Sequence, residues 1–374
     1  MIEPAKLSFT ANGTPYSETY GDVYHTAAGG LGQARHVFLA GNGLPQRWQG
    51  RDRFVVVETG FGLGLNFLAT WQAWRDDGER CGRLHFVSVE KHPFRADDLA
   101  RLHAAWPELA PLAAELRRDW PPLVPGLHRL FLDHGRVVLD LVFGDATDCL
   151  PQLSAQADAF YLDGFSPAKN PALWNAPLLA TLSALAAPGA TLATWSVASG
   201  VREALAANGW QLEKAPGFSG KREMLRGEMP GAAATPAPAS HDRRAIVLGA
   251  GLAGSSVANR LAARGWRVTL IDALAGPGEG ASGNRAGVLR PLPARDDNAL
   301  ARITRAGFLA TRRHLQALDD AGLATGFADS GGLWGKTGVL HLARDAVHEA
   351  TQRRVVADQR PPADYLRFVE RDEA

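Results

Sequence analysis

Two glycine-rich turns constrain the fold of this chain more than any other feature of its sequence. Each turn follows a short apolar run that predicts a buried strand, and each precedes a pattern typical of a helix. The two strands begin at Arg53 and Arg244. The glycines of the turns are Gly60, Gly62, Gly64, Gly249, Gly251 and Gly254. Because repeated strand–turn–helix units build parallel sheets covered by helices, we predict an α/β fold with two Rossmann-like domains.

The composition of residues 230–243 divides the chain between the two turns. This stretch reads PGAAATPAPASHDR, is dominated by alanine and proline, and has no apolar period. Such a composition predicts an extended connector. We therefore predict a first domain at residues 1–229, a linker at 230–243 and a second domain at 244–374, which suits a chain of 374 residues.

Strand and helix patterns alternate along the first domain, with one interruption. Segment 106–136 is rich in proline and tryptophan, which predicts a surface excursion without a long regular element. At the end of the domain, residues 210–214 and 221–226 flank a glycine-containing turn. This arrangement predicts an antiparallel hairpin at the edge of the sheet.

The charge and cysteine content of the chain exclude several classes of protein. The 40 basic and 39 acidic residues leave a net charge of +1, so nucleic acid could be bound only through a local basic patch. The two cysteines, Cys81 and Cys149, cannot form a disulfide framework, and no Cys or His spacing indicates a metal site, so we expect no metal. No signal-peptide pattern and no apolar run of about 18 residues occurs, from which we expect a cytoplasmic protein without a membrane span.

Acidic residues end three successive strands of the first domain. Glu58 precedes the first turn, Glu90 ends the next strand and Asp145 follows the third. A carboxylate at Glu90 can accept both hydroxyls of a ribose, and one at Asp145 can accept the exocyclic amine of adenine. Glu58 would repel a pyrophosphate but suits a cationic amino-acid group. The set favours S-adenosylmethionine over NAD, and a tight turn without any ligand is the alternative.

The fourth strand ends in the most distinctive motif of the chain, Asp163-Gly-Phe-Ser-Pro-Ala-Lys169-Asn170-Pro. In open α/β sheets, ligands bind at the carboxyl ends of the strands, which is where Asp163 emerges. A carboxylate there can orient an amine nucleophile and accept its proton directly or through water. The alternatives are a turn or helix-capping role for Asp163 and a solvated loop position for Lys169.

The second turn has the spacing G-x-G-x-x-G, and the next strand ends in Asp272. This context indicates a dinucleotide site, with the pyrophosphate at the helix N-terminus and Asp272 at the ribose hydroxyls. Further along, Ser282 and Asn284 lie in a glycine-rich stretch that could approach a flavin or a pyrophosphate. A plain glycine-rich turn, within an α/β domain that holds no ligand, is the alternative.

The stretches ETGFGLGLNFL, SVEKHPF, FYLDGFSPAKNPALW and GKREML resemble the MnmC family of bifunctional enzymes that modify the wobble uridine of tRNA. The resemblance implies a Rossmann-like S-adenosylmethionine methyltransferase domain followed by an FAD-binding Rossmann domain. It implies methyl transfer to the aminomethyl nitrogen of 5-aminomethyl-2-thiouridine at the wobble position, which gives 5-methylaminomethyl-2-thiouridine. For the second domain it implies removal of the carboxymethyl group from 5-carboxymethylaminomethyl-2-thiouridine. The family's FAD domain is longer than residues 244–374, so we expect an incomplete FAD domain.

The resemblance also implies roles for particular residues, and Asp163 would face the reacting amine. The partner would be the tRNA anticodon loop. We expect the protein to be a monomer. S-adenosylmethionine would be held by Glu58, Gly60, Gly62, Gly64, Asn66, Glu90 and Asp145. FAD would be held by Gly249, Gly251, Gly254, Asp272, Ser282 and Asn284. Apart from the resemblance, we expect the substrate to be contacted by residues of the loops at or near the carboxyl edge of the sheet, namely Lys169, Asn170, Lys221 and Arg222, although each of these cations alone is more typical of a solvated surface charge.

Two other functions stay open at this point. A small-molecule amine methyltransferase with a flavin partner would transfer methyl groups to free amines without RNA. A non-catalytic tRNA-binding module would bind RNA but not S-adenosylmethionine.

Overall fold

A computed structural model describes residues 1–231, 243–284, 286–323 and 334–373. By their contacts these residues form two units, the first from those within 1–234 and 291–374 and the second from those within 235–290. Residues 232–242, which make up most of the expected linker, lie outside the described residues. The domain boundaries that we expect from the sequence therefore stay a prediction.

The first unit contains a small antiparallel sheet and a mixed sheet of eight strands. The small sheet comprises β1 (Ser8–Phe9), β2 (Pro15–Ser17) and β3 (Asp22–Val23). The large sheet comprises β4 (Arg53–Thr59), β5 (Arg83–Glu90), β6 (Gly126–Leu132), β7 (Val137–Phe143), β8 (Ala157–Leu162), β9 (Ala186–Thr194), β10 (Gln211–Pro216) and β11 (Glu223–Glu228). Its order in space is β10-β11-β9-β8-β4-β5-β7-β6.

Helices connect and cover these strands. Those of the first unit are α1 (Gly30–Gln33), α2 (Leu65–Asp76), α3 (Ala96–His103), α4 (Ala110–Arg118), α5 (Ala146–Cys149), α6 (Ala176–Ser183), α7 (Ser199–Ala207), α9 (Ala299–Asp320) and α10 (Ala346–Gln359). The second unit has α8 (Leu252–Ala262) between the parallel strands β12 (Arg244–Leu248) and β13 (Arg267–Ile271). Both units confirm the α/β class.

The five central strands of the large sheet, β4, β5, β7, β8 and β9, are parallel. At one edge β10 and β11 form an antiparallel hairpin, which confirms that prediction. At the other edge β6 pairs antiparallel with β7.

The expectation for segment 106–136 is wrong, because α4 and β6 both form inside it. Pro111 lies in the first turn of α4, where a backbone N–H has no partner within the helix in any case. Pro121, Pro122 and Pro125 stand between α4 and β6, where they interrupt neither element.

The core lies on both faces of the large sheet because side chains alternate along each strand. In β4, Phe54 and Val56 pack on one face with residues of α2, whereas Val55 and Val57 pack on the other. All four are buried. Strands that are apolar on both faces are typical of a parallel sheet covered by helices.

The described part of residues 291–374 packs against the edge of this sheet. Helix α9 lies on β6, and Arg313 donates a hydrogen bond to the backbone oxygen of Arg129 at 3.0 Å. Nearby, the buried Arg305 pairs with Asp297 at 2.6 Å. Among the residues that the structure describes, no helix is both long and apolar enough to cross a membrane.

Arg47 connects the N-terminal segment to two central strands, and its loss should be costly. Its guanidinium donates to Thr191 Oγ1 at 2.6 Å, to the backbone oxygen of Asp158 at 3.1 Å and to that of Gly189 at 2.8 Å. Arg47→Met takes one donor away from each of these three acceptors, so we expect the free energy of unfolding to fall by about 2–4 kcal/mol. Urea unfolding followed by circular dichroism measures this change. The exposed Arg53→Met is the control, and equal losses for both variants would contradict the account.

Candidate functional site

A cavity of about 1510 Å³ opens at the carboxyl ends of the parallel strands. Its wall includes residues that follow β4, β5, β7, β8 and β9, together with parts of the N-terminal segment at 3–37. Because the strands are parallel, their carboxyl ends meet at one edge of the sheet, which is where ligands of such sheets bind. The topology therefore gathers side chains that are far apart in the sequence.

The first glycine-rich turn approaches this cavity with its backbone. Gly60, Gly62 and Gly64 have φ angles of 77°, 51° and 73°, a left-handed conformation that favours glycine. Gly60 and Gly62 line the cavity, whereas Gly64 is not among its lining residues. At Gly64 an added Cβ would lie 2.6 Å from the ring of Phe61, so this glycine is required by packing.

Glu90 is fixed to the same turn by two backbone hydrogen bonds. Its Oε2 accepts from the N–H of Gly62 at 2.8 Å, and its Oε1 accepts from the N–H of His92 at 2.6 Å. The side chain lines the cavity. A carboxylate oxygen can accept more than one hydrogen bond, so Glu90 can hold the turn and still accept ribose hydroxyls.

Asp145 lines the cavity as half of an ion pair. Its Oδ2 lies 2.7 Å from Lys91 Nζ, and its Oδ1 accepts from the N–H of Thr147 at 3.0 Å. Partial burial alone would raise the pKa of Asp145, but the hydrogen bonds from Lys91 and Thr147 lower it to about 2. Both oxygens therefore have protein partners, and an adenine amine would share one of them.

Asp163 lies in the cavity wall with both carboxylate oxygens positioned by donors. Its Oδ1 accepts from the N–H of Gly164 at 2.8 Å, and its Oδ2 accepts from Asn66 Nδ2 at 2.7 Å. Withdrawal from bulk solvent raises the pKa of Asp163 to about 6, although both donors act in the opposite direction. The residue is therefore an acid that ionises close to neutral pH, as a general base requires.

Glu58 lies beneath the cavity wall. It is fully buried and is not among the residues that line the cavity. Its Oε1 accepts from Asn66 Nδ2 at 3.0 Å, and its Oε2 accepts from Ser88 Oγ at 2.6 Å. Burial raises the pKa of Glu58 well above its usual range. Contact between Glu58 and a cofactor stays a prediction, and the structure gives this residue protein partners.

Of the four residues that we expect to contact the substrate, two line the cavity and two do not. Asn170 and Lys221 line it, whereas Lys169 and Arg222 do not. Lys221 Nζ lies 3.9 Å from the centroid of the Trp195 ring. Burial against this ring lowers the pKa of Lys221. The N–H of the Trp195 indole points to the backbone oxygen of Gly164 at 3.3 Å, next to Asp163.

The second unit shows the geometry of a dinucleotide-binding turn. Gly249 has a φ of 93°, and a Cβ at Gly254 would lie 1.7 Å from the backbone oxygen of Gly249, so only glycine fits there. Asp272 directly follows β13 and accepts from the N–H of Ala250 at 2.6 Å. Ser282 Oγ accepts from the N–H of Leu252 at 3.1 Å, at the start of α8.

Gly251 and Asn284 are the other residues of this unit that we expect to bind FAD. Gly251 precedes α8 at its N-terminus, and an added Cβ there would lie 2.9 Å from Ser282 Oγ. Asn284 is exposed at the end of the short turn 281–283. Within the described residues, no group of three or more His, Cys, Asp or Glu side chains could hold a metal ion.

Two families of known domains match this chain. Residues 107–230 match the family model of an S-adenosyl-L-methionine-dependent methyltransferase, and residues 244–374 match that of an FAD dependent oxidoreductase. The tRNA 5-methylaminomethyl-2-thiouridine biosynthesis bifunctional protein MnmC of Aromatoleum aromaticum is 66% identical over 374 residues. The protein of the same name from an Azoarcus species is 64% identical over 373 residues. Over its whole length the chain is therefore similar to MnmC proteins.

The match covers 100% of the chain but 58% of the length of each of these two MnmC proteins. A solved structure, MNMC2 from Aquifex aeolicus, is also similar, with a TM-score of 0.50 and 22% sequence identity. That likeness covers 61% of the chain and 72% of the solved one, and it concerns the fold alone.

Residues of this chain suit the two cofactors that the family models name. For S-adenosylmethionine, two glycines free of side chains, the carboxylate of Glu90 and the Asp145–Lys91 pair all border one cavity. For FAD, the crowded Gly254 and the carboxylate of Asp272, the residue directly after β13, meet the requirements of a dinucleotide turn.

Several residues at this site could not be predicted from the sequence. Tyr20 stacks on Phe165 with ring centroids 4.6 Å apart, and the carboxylate of Asp22 accepts from the N–H of Ser166 at 3.0 Å. These contacts join the N-terminal segment to the loop after β8. No local pattern marks Tyr20 or Asp22, whereas Lys91 could have been found from its position directly after Glu90 at a strand end.

Proposed function

We propose that residues 1–229 form an S-adenosylmethionine-dependent methyltransferase. Its substrate is the aminomethyl nitrogen of 5-aminomethyl-2-thiouridine at the wobble position of tRNA, and its product is 5-methylaminomethyl-2-thiouridine. One observation supports this most strongly: Asp163, an acid whose pKa is raised to about 6, lines the same cavity as Gly60, Gly62, Glu90 and Asp145.

The size of the cavity suits two molecules. Pockets for one small ligand are about 300–1,000 Å³, and this cavity is about 1510 Å³. Glu90 would accept the ribose hydroxyls, and Asp145 with Lys91 would hold the adenine edge. Bound S-adenosylmethionine supplies an electrophilic methyl group. The space that remains, next to Asp163 and Trp195, would admit a modified nucleoside.

Asp163 would act on the amine in two ways. Its carboxylate accepts a hydrogen bond from the aminomethyl group and so aligns the nitrogen lone pair for attack. It then takes the proton that the nitrogen loses, directly or through water. The donors Asn66 Nδ2 and Gly164 N fix the carboxylate, so little reorganisation is needed when the amine arrives.

The RNA would be held by the polar residues beside this cavity. Lys221 and Asn170 line it, and Lys169 and Arg222 lie in the loops that carry them. Because tRNA is the proposed substrate, we place the protein in the cytoplasm, where it would act as a monomer on the anticodon loop.

Lys169, Lys221 and Arg222 should contribute to the dependence of RNA binding on salt concentration. Contacts with single-stranded phosphates contribute about 0.7 each to the slope of log K against log salt. Changing Lys169, Lys221 and Arg222 together to glutamine should lower this slope by about 2 in total. Arg53→Gln, at the start of β4, is the control and should leave the slope unchanged. Equal slopes for the triple variant and the wild type would exclude these cations from the RNA interface.

For residues 244–374 the proposal is FAD binding by Gly249, Gly251, Gly254, Asp272, Ser282 and Asn284. Gly254 and Asp272 give this proposal its strongest support. A Cβ at Gly254 would lie 1.7 Å from a backbone oxygen, so only glycine fits there. The family resemblance assigns to this domain the removal of the carboxymethyl group from 5-carboxymethylaminomethyl-2-thiouridine.

Transfer of a labelled methyl group tests the proposed function against its rivals. The purified chain is incubated with labelled S-adenosylmethionine and either tRNA that lacks this methyl group or free alkylamines. Label in tRNA alone supports the proposal. Label in the free amines would favour a small-molecule methyltransferase, and tRNA binding without binding of S-adenosylmethionine would favour a non-catalytic module.

A further inference from the structure

Glu58 and Asp163 are held by a single amide group. Asn66 Nδ2 lies 3.0 Å from Glu58 Oε1 and 2.7 Å from Asp163 Oδ2. A side-chain amide nitrogen has two hydrogens, so each acid accepts one of them. The orientation of Asn66 is therefore determined by two acceptors at once, and Asn66 keeps its oxygen as an acceptor next to the cavity.

The position of Glu58 separates it from any ligand in the cavity. Glu58 is fully buried and lines no part of the wall, whereas both Asn66 and Asp163 do. Its second oxygen lies 2.6 Å from Ser88 Oγ, a hydroxyl that donates to an ionised carboxylate and accepts from a protonated one, so the side chain is satisfied within the protein in either form. A ligand would meet Asn66 before it reached Glu58.

The charges around Glu58 favour a neutral carboxyl group. The acids Asp163 and Glu90 act on it electrostatically, and Tyr161, whose hydroxyl bonds to Thr70, lies near it. Its hydrogen-bond partners among the described residues, Asn66 and Ser88, are both uncharged. Two ionised carboxylates that share one amide in a buried site would repel each other strongly.

We propose that Glu58 is a positioning residue that acts through Asn66: as a neutral hydrogen-bond acceptor it directs the second N–H of Asn66 to Asp163, and it does not contact the cofactor. The inference deepens the proposed function and rests on it for the role of Asp163. It differs from the sequence-based expectation, in which Glu58 carries a negative charge that attracts the cationic cofactor.

Two substitutions of Glu58 separate hydrogen bonding from charge. In Glu58→Gln the amide oxygen can accept from Asn66 while its nitrogen donates to Ser88 Oγ, so the arrangement survives without a charge. In Glu58→Leu the acceptor is lost and Asn66 is free to turn away from Asp163. We therefore expect kcat to change less than about twofold in Glu58→Gln and to fall about 10- to 100-fold in Glu58→Leu.

Binding of S-adenosylmethionine, measured by calorimetry, gives a second readout. The dissociation constant should change less than about threefold in Glu58→Gln, because Glu58 makes no contact with the cofactor and Asn66 keeps its orientation. An increase of about tenfold or more in Glu58→Gln would overturn the proposal, since it would show that the charge attracts the ligand. Asp158→Asn is the matched control, because Asp158 is a buried acid at the other end of β8 and outside the cavity.

A titration of Asp163 by NMR in the free chain tests the inference without any cofactor. In Glu58→Gln the pKa of Asp163 should stay within about 0.3 units of the wild-type value, because a neutral group replaces a neutral group. In Glu58→Leu it should rise by at least about 0.5 units, because the carboxylate loses the directed donor. A clear fall in Glu58→Gln would show that Glu58 is ionised and would overturn the proposal, whether or not the chain transfers methyl groups.

A double variant separates positioning from a general effect on the fold. If Glu58 acts through Asn66, adding Glu58→Leu to Asn66→Ala should lower kcat by less than a further twofold or so. Fully multiplied losses, or thermal unfolding of Glu58→Leu at a temperature far below that of Asp158→Asn, would show a structural role and contradict the proposal.

Discussion

Asp163→Ala lowers kcat for methyl transfer by about 10²–10⁴-fold while the dissociation constant of S-adenosylmethionine changes less than about threefold. The reason is that the carboxylate aligns the amine and takes its proton, whereas the cofactor is held by the turn, Glu90 and Asp145. Single-turnover transfer and calorimetry measure the two quantities. Asp158→Asn, in the strand that precedes Asp163 but outside the cavity, should leave both unchanged. An unchanged kcat in Asp163→Ala would remove this residue from the mechanism.

The same carboxylate should set the acidic limb of the pH profile. Burial raises the pKa of Asp163 to about 6, and only the ionised form can accept a proton. Since the accepting form gains population as pH rises, kcat/KM should increase through about pH 6 and then level off. Glu58→Gln should keep this limb, and a flat profile between about pH 5 and 7 would contradict the assignment.

Glu90→Ala raises the dissociation constant of S-adenosylmethionine about 100-fold, which corresponds to about 3 kcal/mol. Two losses combine here. The ribose hydroxyls lose their acceptor, and the N–H groups of Gly62 and His92 lose the oxygens that fix the turn at 2.8 and 2.6 Å. Because the cofactor site is weakened and Asp163 is untouched, kcat at saturating cofactor should fall far less.

A matched control for Glu90 is available nearby. Asp148 is an exposed acid of α5 that does not line the cavity. Asp148→Asn removes a negative charge from the same region and should leave the dissociation constant unchanged. If both variants weakened binding equally, the effect of Glu90 would be one of overall charge rather than of direct contact.

Local patterns were sufficient for the parts of the site that follow from strand ends. Glu90 ends a parallel strand, and Asp145 and Asp163 follow one within two residues, so the topology alone brings them to one cavity. The glycines were also predictable, because a tight turn between a strand and a helix needs a left-handed backbone conformation. The antiparallel hairpin was marked by its turn.

The position of Glu58 follows from the alternation of side chains along β4. Phe54 and Val56 pack on the face that carries α2, and Glu58 is two residues further on the same face. It is therefore directed under Asn66 of α2 rather than into the open cavity. The acidic side chain at the strand end suggested contact with a ligand. The alternation of side chains along the strand, which places Glu58 on the face covered by α2, would have indicated contact with the protein instead.

Other contacts could not be read from local sequence at all. Tyr20 stacks on Phe165, and Asp22 binds the backbone of Ser166, across more than half of the first domain. Such pairs depend on how the N-terminal segment folds over the sheet, which no periodicity encodes. The helix and strand inside segment 106–136 were missed for a different reason, because each proline there occupies a position that the element tolerates.

The proposed function is tested most directly on two anticodon stem-loop RNAs that differ at one base. One has 5-aminomethyl-2-thiouridine at the wobble position and the other has unmodified uridine. The chain is incubated with S-adenosylmethionine and each RNA, and the nucleosides are identified by mass spectrometry. The account predicts 5-methylaminomethyl-2-thiouridine from the first RNA and no methylated nucleoside from the second. Methylation at any other position, or none in either RNA when S-adenosylmethionine binds, would contradict it.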